Sequence, residues 1–375
     1  MNKKILKGYK NLPIMKAVLL NEINEVENLL KSDPTLINCR HEKSGDSPLI
    51  LATRLGHEKI VKILIGKDAD LEYKNLDGKR ALHEAACFGF NTIVELLLSS
   101  GALVDVLKRA DWTPLMFACA NGSVDCLRIL VKFGANIHRV NKDGWTGFHL
   151  ACREGHIHIL KYLQSLDANC YKTKSKNGRT PLHSACMHGR KNVCEFLVNL
   201  EDMDIRVKDS CGSTPVLDSI RFGFIDIIEL LLSLSEKCLV DTDNLGLAPV
   251  HIAAQSGHVS ALEFLIEKQN QDLEGKCINL LTPLHYAARE GNLDVIKYIV
   301  PLVTNIDCQD AFRRTPLHIA FAGKNVEIVS FLLDSGASIQ LKDSHGKQPA
   351  DYAFTFAMQQ FLETKKSLFC SLVSQ

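Results

Sequence analysis

Apolar residues recur along the chain in pairs of short runs separated by polar turns. In "VEIVSFLLDSGA" from Val326, the residues Ile328, Val329, Leu332 and Leu333 fall at helical spacing and predict a helix that buries one face. A shorter apolar run precedes each of these, introduced by a recurring tetrapeptide: TPLM at Thr113, TGFH at Thr146, TPLH at Thr180, TPVL at Thr214, APVH at Ala248, and TPLH at Thr282 and Thr315. Weaker copies are SPLI at Ser47 and RALH at Arg80, and the phase continues to "LPIMKAV" at Leu12 and "QPADYAF" at Gln348. The period is about 33 or 34 residues, giving about eleven helix-turn-helix units whose outer two are atypical, as terminal caps must be.

Each residue of the tetrapeptide has a physical task. Thr180 can accept a hydrogen bond from a free amide at the helix start, and Pro181 takes the first helical position, where no amide hydrogen is needed. Leu182 points into the stack, and His183 can bridge polar groups of neighbouring turns, one ring nitrogen donating while the other accepts. Gly189 tolerates the left-handed conformation that ends the helix. Polar segments with a D-G or H-G turn, "NIHRVNKDGW" and "SIQLKDSHGK", read as β-hairpin fingers leading to the next cap. No single unit buries its own helices, so the expected fold is an all-α solenoid. The spacing and the TPLH pattern resemble ankyrin repeats. The expected organisation is a basic N-terminal tail over 1–11, a single repeat array over 12–363 and a C-terminal tail over 364–375.

Composition changes this picture little. The net charge of +1 supports neither a nucleic-acid protein nor a disordered one, so any basic surface is local. The 13 cysteines are scattered with no short paired spacing, which argues against a disulfide framework or a zinc ribbon and for a reducing compartment. Lys7, Lys10 and Lys16 interrupt the N-terminal stretch before a signal peptide could form, and the longest apolar run, near Ile227, is far short of the ~20 residues of a spanning helix. A cytoplasmic location, with the nucleus as a further one, and a monomer are expected.

The candidate chemistry is mostly absorbed by the repeat. His83, His149, His183, His251, His285 and His318 occupy the fourth place of the tetrapeptide and are structural by phase. Cys119, Cys152 and Cys186 share one phase and predict a buried column; helices ~10 Å apart cannot bring them within the ~2.3 Å that zinc requires. There is no P-loop, G-x-S-x-G or H-E-x-x-H, so no catalytic residue, metal or cofactor is assigned.

What the repeat does not require lies in the central units. The residue before each cap is mostly polar, yet at two successive units it is Trp112 and Trp145, the only tryptophans in the chain. Tryptophan on a wet face is a binding anchor; tryptophan lying flat over its own finger is half-buried packing, and the residues allow both. Lys108, Arg109, Lys142, Lys172, Lys174, Lys176 and Arg179 fall on the fingers of the same units, with Arg109, Lys142 and Lys176 in one phase. Beside the tryptophans they form a basic ridge, either a solvated face or a surface for an acidic or phosphate-bearing partner.

The stretches "LKRADWTPLMFAC", "NKDGWTGFHLACREG" and "KTKSKNGRTPLHSACMHG" resemble those of the family of ankyrin repeat domain-containing protein 16, and the likeness extends through "KRALHEAACFG", "DSCGSTPVLDSI" and "LLTPLHYAAREGN". The resemblance implies binding to the catalytic domain of alanyl-tRNA synthetase and capture of wrongly activated serine on lysine side chains, which would limit mistranslation. It implies Lys142 and Lys172 as acceptors; the third acceptor position falls on Arg109, a poor acceptor, with the adjacent Lys108 as a candidate substitute. Trp112, Trp145, Lys174, Lys176 and Arg179 are the expected partner-binding residues. Such transfer is stoichiometric, so the chain would not be an enzyme. The rival readings are a general scaffold that holds another protein through Trp112 and Trp145, and a direct tRNA-binding module, which the near-neutral charge disfavours.

Overall fold

A computed structural model describes residues 12–353, 355, 358–360 and 363; the segments 1–11 and 364–375 lie outside the described residues. The chain forms two compact units, Met1–Met203 and Asp204–Gln375. Among the described residues all regular structure is helical. Among the described residues the first unit contains six helix pairs, from Pro13–Leu19 with Ile23–Ser32 to Pro181–Met187 with Lys191–Val198. The described residues of the second contain four, from Pro215–Phe222 with Ile225–Leu234 to Pro316–Ala322 with Val326–Asp334, and a 3-10 turn at Pro349–Tyr352 opens the next repeat.

Within each unit the first helix of a repeat packs on those of its neighbours: Pro114–Asn121 lies between Ala81–Phe88 and Gly147–Glu154. This is why the first helices are sealed on most sides, with Leu115, Met116, Ala118 and Cys119 all buried. The second helices bury one face only. In Val326–Asp334 that face is Ile328, Val329 and Leu332, while Leu333 lies at its edge, half-buried. Each leucine so buried contributes roughly 1.5–3 kcal/mol.

The tetrapeptide does what its chemistry allows. The Thr180 hydroxyl accepts from the His183 amide at 3.4 Å, and the Thr180 amide donates to His183 Nδ1 at 3.1 Å. At His83, His149, His251, His285 and His318 the other ring nitrogen reaches the carbonyl of the residue before the next cap: Trp112, Arg179, Leu281, Arg314 and Lys347, at 3.1–3.3 Å. A carbonyl can only accept, so Nε2 carries the hydrogen and each ring is held as one neutral tautomer that ties two repeats together. Burial pushes His83, His149 and His285 down to about 4. Gly189 follows the first helix of its repeat at φ +67°, the left-handed conformation expected of it.

The fingers are simpler than expected and form no strand among the described residues. The Asn141–Trp145 finger is closed by one backbone bond, Asn141 N–H to Trp145 carbonyl at 3.0 Å, and by Asn141 Oδ1 accepting from the Asp143 and Trp145 amides at 2.9 Å. The Asn141 side chain thus supplies bonds that a strand partner would otherwise make. Successive fingers are stitched by single backbone bonds, Arg109 to Asp77, Lys142 to Ala110 and Lys176 to Asp143.

The column of Cys119, Cys152 and Cys186 is fully buried. Next to its first member, the tetrapeptide TGFH has Gly147 where most copies have proline. A Cβ at Gly147 would lie 2.8 Å from Cys119 Sγ and 2.9 Å from Leu115 Cδ2, so the sulfur occupies room that a proline ring would need. Gly147→Pro is therefore expected to destabilise by about 1–2 kcal/mol, the overpacking cost exceeding the entropy gained in the unfolded chain. Adding Cys119→Ala should recover most of that loss in a denaturant-unfolding double-mutant cycle; additive effects would show that the two sites do not compete for space.

Candidate partner-binding site

The site is built where first helices and fingers of the first unit meet. Trp112 and Trp145 are both half-buried. The Trp112 ring leans on Phe117 of the helix it precedes, centroids 5.1 Å apart at 46°, and Trp145 leans on His149 at 5.9 Å. The indoles thus cover the start of their own helices and keep part of their surface open, which combines the two arrangements that the sequence allows.

Cations stand over these rings. Lys108 Nζ lies 5.4 Å from the Trp112 centroid and 5.2 Å from that of Phe117, Lys79 Nζ lies 5.3 Å from Phe117, and the Arg153 guanidinium lies 5.8 Å from Trp145. Ammonium and guanidinium groups are attracted to the electron-rich face of such rings at these distances. Lys79 also reaches Glu84 at 3.4 Å, and behind it runs a buried network in which Arg54 joins Glu84 at 2.9 Å and Asp46 at 2.7 Å. Lys108 pairs with no carboxylate among the described residues. Burial, with the Lys79 charge beside it, holds the Lys108 amine below the ordinary lysine range.

Phe117, Lys79 and Arg153 are the participants that the sequence reading did not assign. Lys79 occupies the same column as the tryptophans, one repeat earlier, and Phe117 and Arg153 lie on the following helices. Reading several columns of neighbouring repeats together, instead of the residue before the cap alone, would have exposed all three.

The basic residues divide into rows. Arg109, Lys142 and Lys176 each donate a backbone amide to the preceding finger, at 3.2, 3.0 and 3.0 Å, and their exposed side chains form one row across successive fingers. Lys174 is exposed on the same finger as Lys176, and between 170 and 180 that finger carries four cations and no carboxylate. Lys108 is outside the row, turned onto the rings. Lys172 sits at the base of its finger, in the 3-10 turn Cys170–Lys172, with Nζ 3.8 Å from Asp202 and 5.6 Å from the Tyr171 ring. Its phase matches His138, which faces Asp167 at 3.9 Å, so Lys142 and Lys172 belong to different rows. Arg179 is half-buried, its guanidinium on the Met187 sulfur and its carbonyl taken by His149. Among the described residues no group of three or more His, Cys, Asp or Glu is placed to hold a metal ion.

The family model for ankyrin repeats in three copies matches residues 14–108, 82–174, 164–243, 233–310 and 301–369, nearly the whole chain. The chain belongs to the ankyrin repeat family. Similar proteins include glycerophosphocholine phosphodiesterase GDE1 of Candida albicans, 30% identical over 30% of this chain and 10% of that protein. Neurogenic locus notch homolog protein 1 of Danio rerio is 35% identical over 28% of this chain and 4% of its own length. Ankyrin repeat protein FPV240 of Fowlpox virus is 33% identical over 29% of this chain and 26% of its own. The chain thus spans only a small part of these relatives. Ankyrin repeats indicate a protein–protein interaction scaffold, generally without enzymatic activity, and no helix among the described residues is long and apolar enough to cross a membrane.

Proposed function

We propose that this ankyrin scaffold docks a protein partner on the face of its first unit that carries Trp112, Phe117 and Trp145, and that the partner is the catalytic domain of alanyl-tRNA synthetase. The observation that carries the docking face is the pair of half-open indoles, in adjacent repeats, each with a cation over or beside it. Aromatic anchors of this kind supply most of the energy of an interface, and their cations steer an acidic partner. The likeness of the tryptophan-bearing stretches to the family of ankyrin repeat domain-containing protein 16 supports the choice of partner.

On the same reading the chain captures misactivated serine on Lys142 and Lys172. A neutral lysine amine attacks the carbonyl carbon of seryl-adenylate; the carbon–oxygen bond to phosphate breaks, AMP departs, the amine loses a proton and an amide remains. The amine must be neutral to attack, so proximity to the bound adenylate must supply much of the rate. The exposed Lys142, unpaired among the described residues, is the freer of the two; Lys172 must first leave Asp202.

The test has two readouts. Peptide mass analysis after incubation with synthetase, serine and ATP should show seryl adducts on Lys142 and Lys172, and Trp112→Ala should weaken synthetase binding about 30-fold or more. Binding without adducts on any lysine removes the capture step. No binding to the synthetase removes the partner and leaves a scaffold for another protein.

A further inference from the structure

The Lys79–Lys108 pair stands out from the other cations of the first unit. Most charged side chains on the fingers either point into solvent, as Lys142, Lys174 and Lys176 do, or have a carboxylate within reach, as Lys172 has in Asp202. Lys108 does neither. Its ammonium is partly withdrawn from water over two aromatic rings and has a second ammonium for a neighbour. The buried carboxylate closest in the network, Glu84, is already neutralised by Arg54 at 2.9 Å and by Lys79 at 3.4 Å.

Two like charges near one ring repel each other, and partial burial deprives them of the water that would screen the repulsion. Burial first, and then the Lys79 charge, lower the proton affinity of Lys108, while Asp77 and Glu84 act the other way without pairing with it directly. An anion seated beside Lys108 would give its ammonium the direct partner that it lacks. The surroundings define what else it carries: the open part of Trp112, its ring centroid 5.4 Å from Lys108 Nζ, offers apolar surface beside the amines, and the fingers from Arg109 to Arg179 add a net positive rim.

We infer that the two amines over Phe117 form a receptor for a side-chain carboxylate of the partner protein, with the apolar residue next to that carboxylate seated against Trp112. This rests on the reading that the first unit docks a protein, and it gives Lys108 the role of gripping the partner, separate from any acceptor role of Lys142 and Lys172. The charge complement is an acidic, partly apolar peptide segment; a nucleic acid or a phosphorylated peptide would be a different ligand.

Trp112 and Trp145 are the chain's only tryptophans, so intrinsic fluorescence reports directly on this face. The full chain is titrated with a capped dodecapeptide carrying three Glu-Leu pairs spaced by Gly-Ser, with its Gln-Leu counterpart, with a version bearing phosphoserine for glutamate, and with dodecauridylate. The Glu-Leu peptide is expected to bind about tenfold or more tightly than the Gln-Leu peptide. Lys108→Met should remove most of that difference, Lys108→Arg should retain it, and Lys276→Met in the second unit should leave it unchanged. Equal binding of the Gln-Leu peptide, no binding of the Glu-Leu peptide, or an unchanged preference in Lys108→Met overturns the proposal, as does tighter binding of phosphopeptide or oligonucleotide. Competition against the alanyl-tRNA synthetase catalytic domain separates the two readings. If the synthetase binds and the peptide does not, the carboxylate receptor is wrong; if the peptide binds and the synthetase does not, the proposed partner is wrong.

Discussion

Acidification from pH 7 to pH 5 is expected to lower the unfolding free energy of the first unit by about 4 kcal/mol through His83 and His149 alone, roughly 2 kcal/mol each. Burial holds both imidazoles at about 4, against an unfolded value near 6.5. The unfolded chain therefore takes up protons as the pH falls through ~6.5, while the folded chain resists until about 4. Stability is fully present above ~6.5, declines through the interval between the two values and levels off below the lower one. The cause is the bridging role. Each ring accepts a backbone amide at Nδ1 and donates to a carbonyl of the next repeat at Nε2, and a proton on Nδ1 would turn that acceptor into a second donor facing an amide. His285 at about 4, and His251 and His318, also lowered by burial, act in the same direction in the second unit. Denaturant unfolding followed by tryptophan fluorescence at several pH values reads the first unit specifically, because both tryptophans lie in it. A midpoint that stays constant from pH 7 to pH 5 would falsify the neutral-bridge assignment. His83→Gln should give a shallower acid limb than the parent.

Arg54→Met is expected to cost about 3 kcal/mol, the typical result of leaving buried charge without its partner. Asp46 and Glu84 are 0% and 1% exposed, and Arg54 contacts both, with Nη1 and Nη2 on Asp46 at 2.7 and 2.9 Å and Nη2 on Glu84 at 2.9 Å. Ser44 and Asn75 would still donate to Asp46, and Lys79 would still face Glu84, so the unit should remain folded with a lowered midpoint. Methionine keeps the packing of the aliphatic stem, which isolates the charge effect. Neutralising the two carboxylates in the same background, by Asp46→Asn and Glu84→Gln, should restore more than half of the loss. A cost under ~1 kcal/mol for Arg54→Met would mean that the remaining donors already compensate both carboxylates.

The repeat itself was legible because its period is written in residue chemistry: a hydroxyl, a proline and a histidine at fixed distance from a glycine define a capped helix wherever they recur. The histidines and the cysteine column were placed by phase, and both lie where that phase puts them. The fingers were over-read. A D-G turn flanked by apolar residues suggests a hairpin, but the segment before the turn is irregular, the segment after it enters the helix at Gly147, and Asn141 closes the turn instead. The row of Arg109, Lys142 and Lys176 was readable for the same reason as the caps, since equal phase means equal place on successive fingers.

The aromatic site was only half legible. Sequence alone fixes that Trp112 and Trp145 precede their caps, because position within a repeat is local. That Lys108 turns onto Phe117 while the adjacent Arg109 joins the finger row is a matter of which side of the backbone each faces, set by the turn at Ala110, φ +64°, and by the bonds to the preceding finger. The convergence of Lys79 and Lys108 on one ring, and of Asp46, Arg54 and Glu84 into one buried network, joins residues from different repeats. Periodicity places residues within a repeat, whereas charge and burial depend on what the neighbouring repeat brings to the same spot, and only packing decides that.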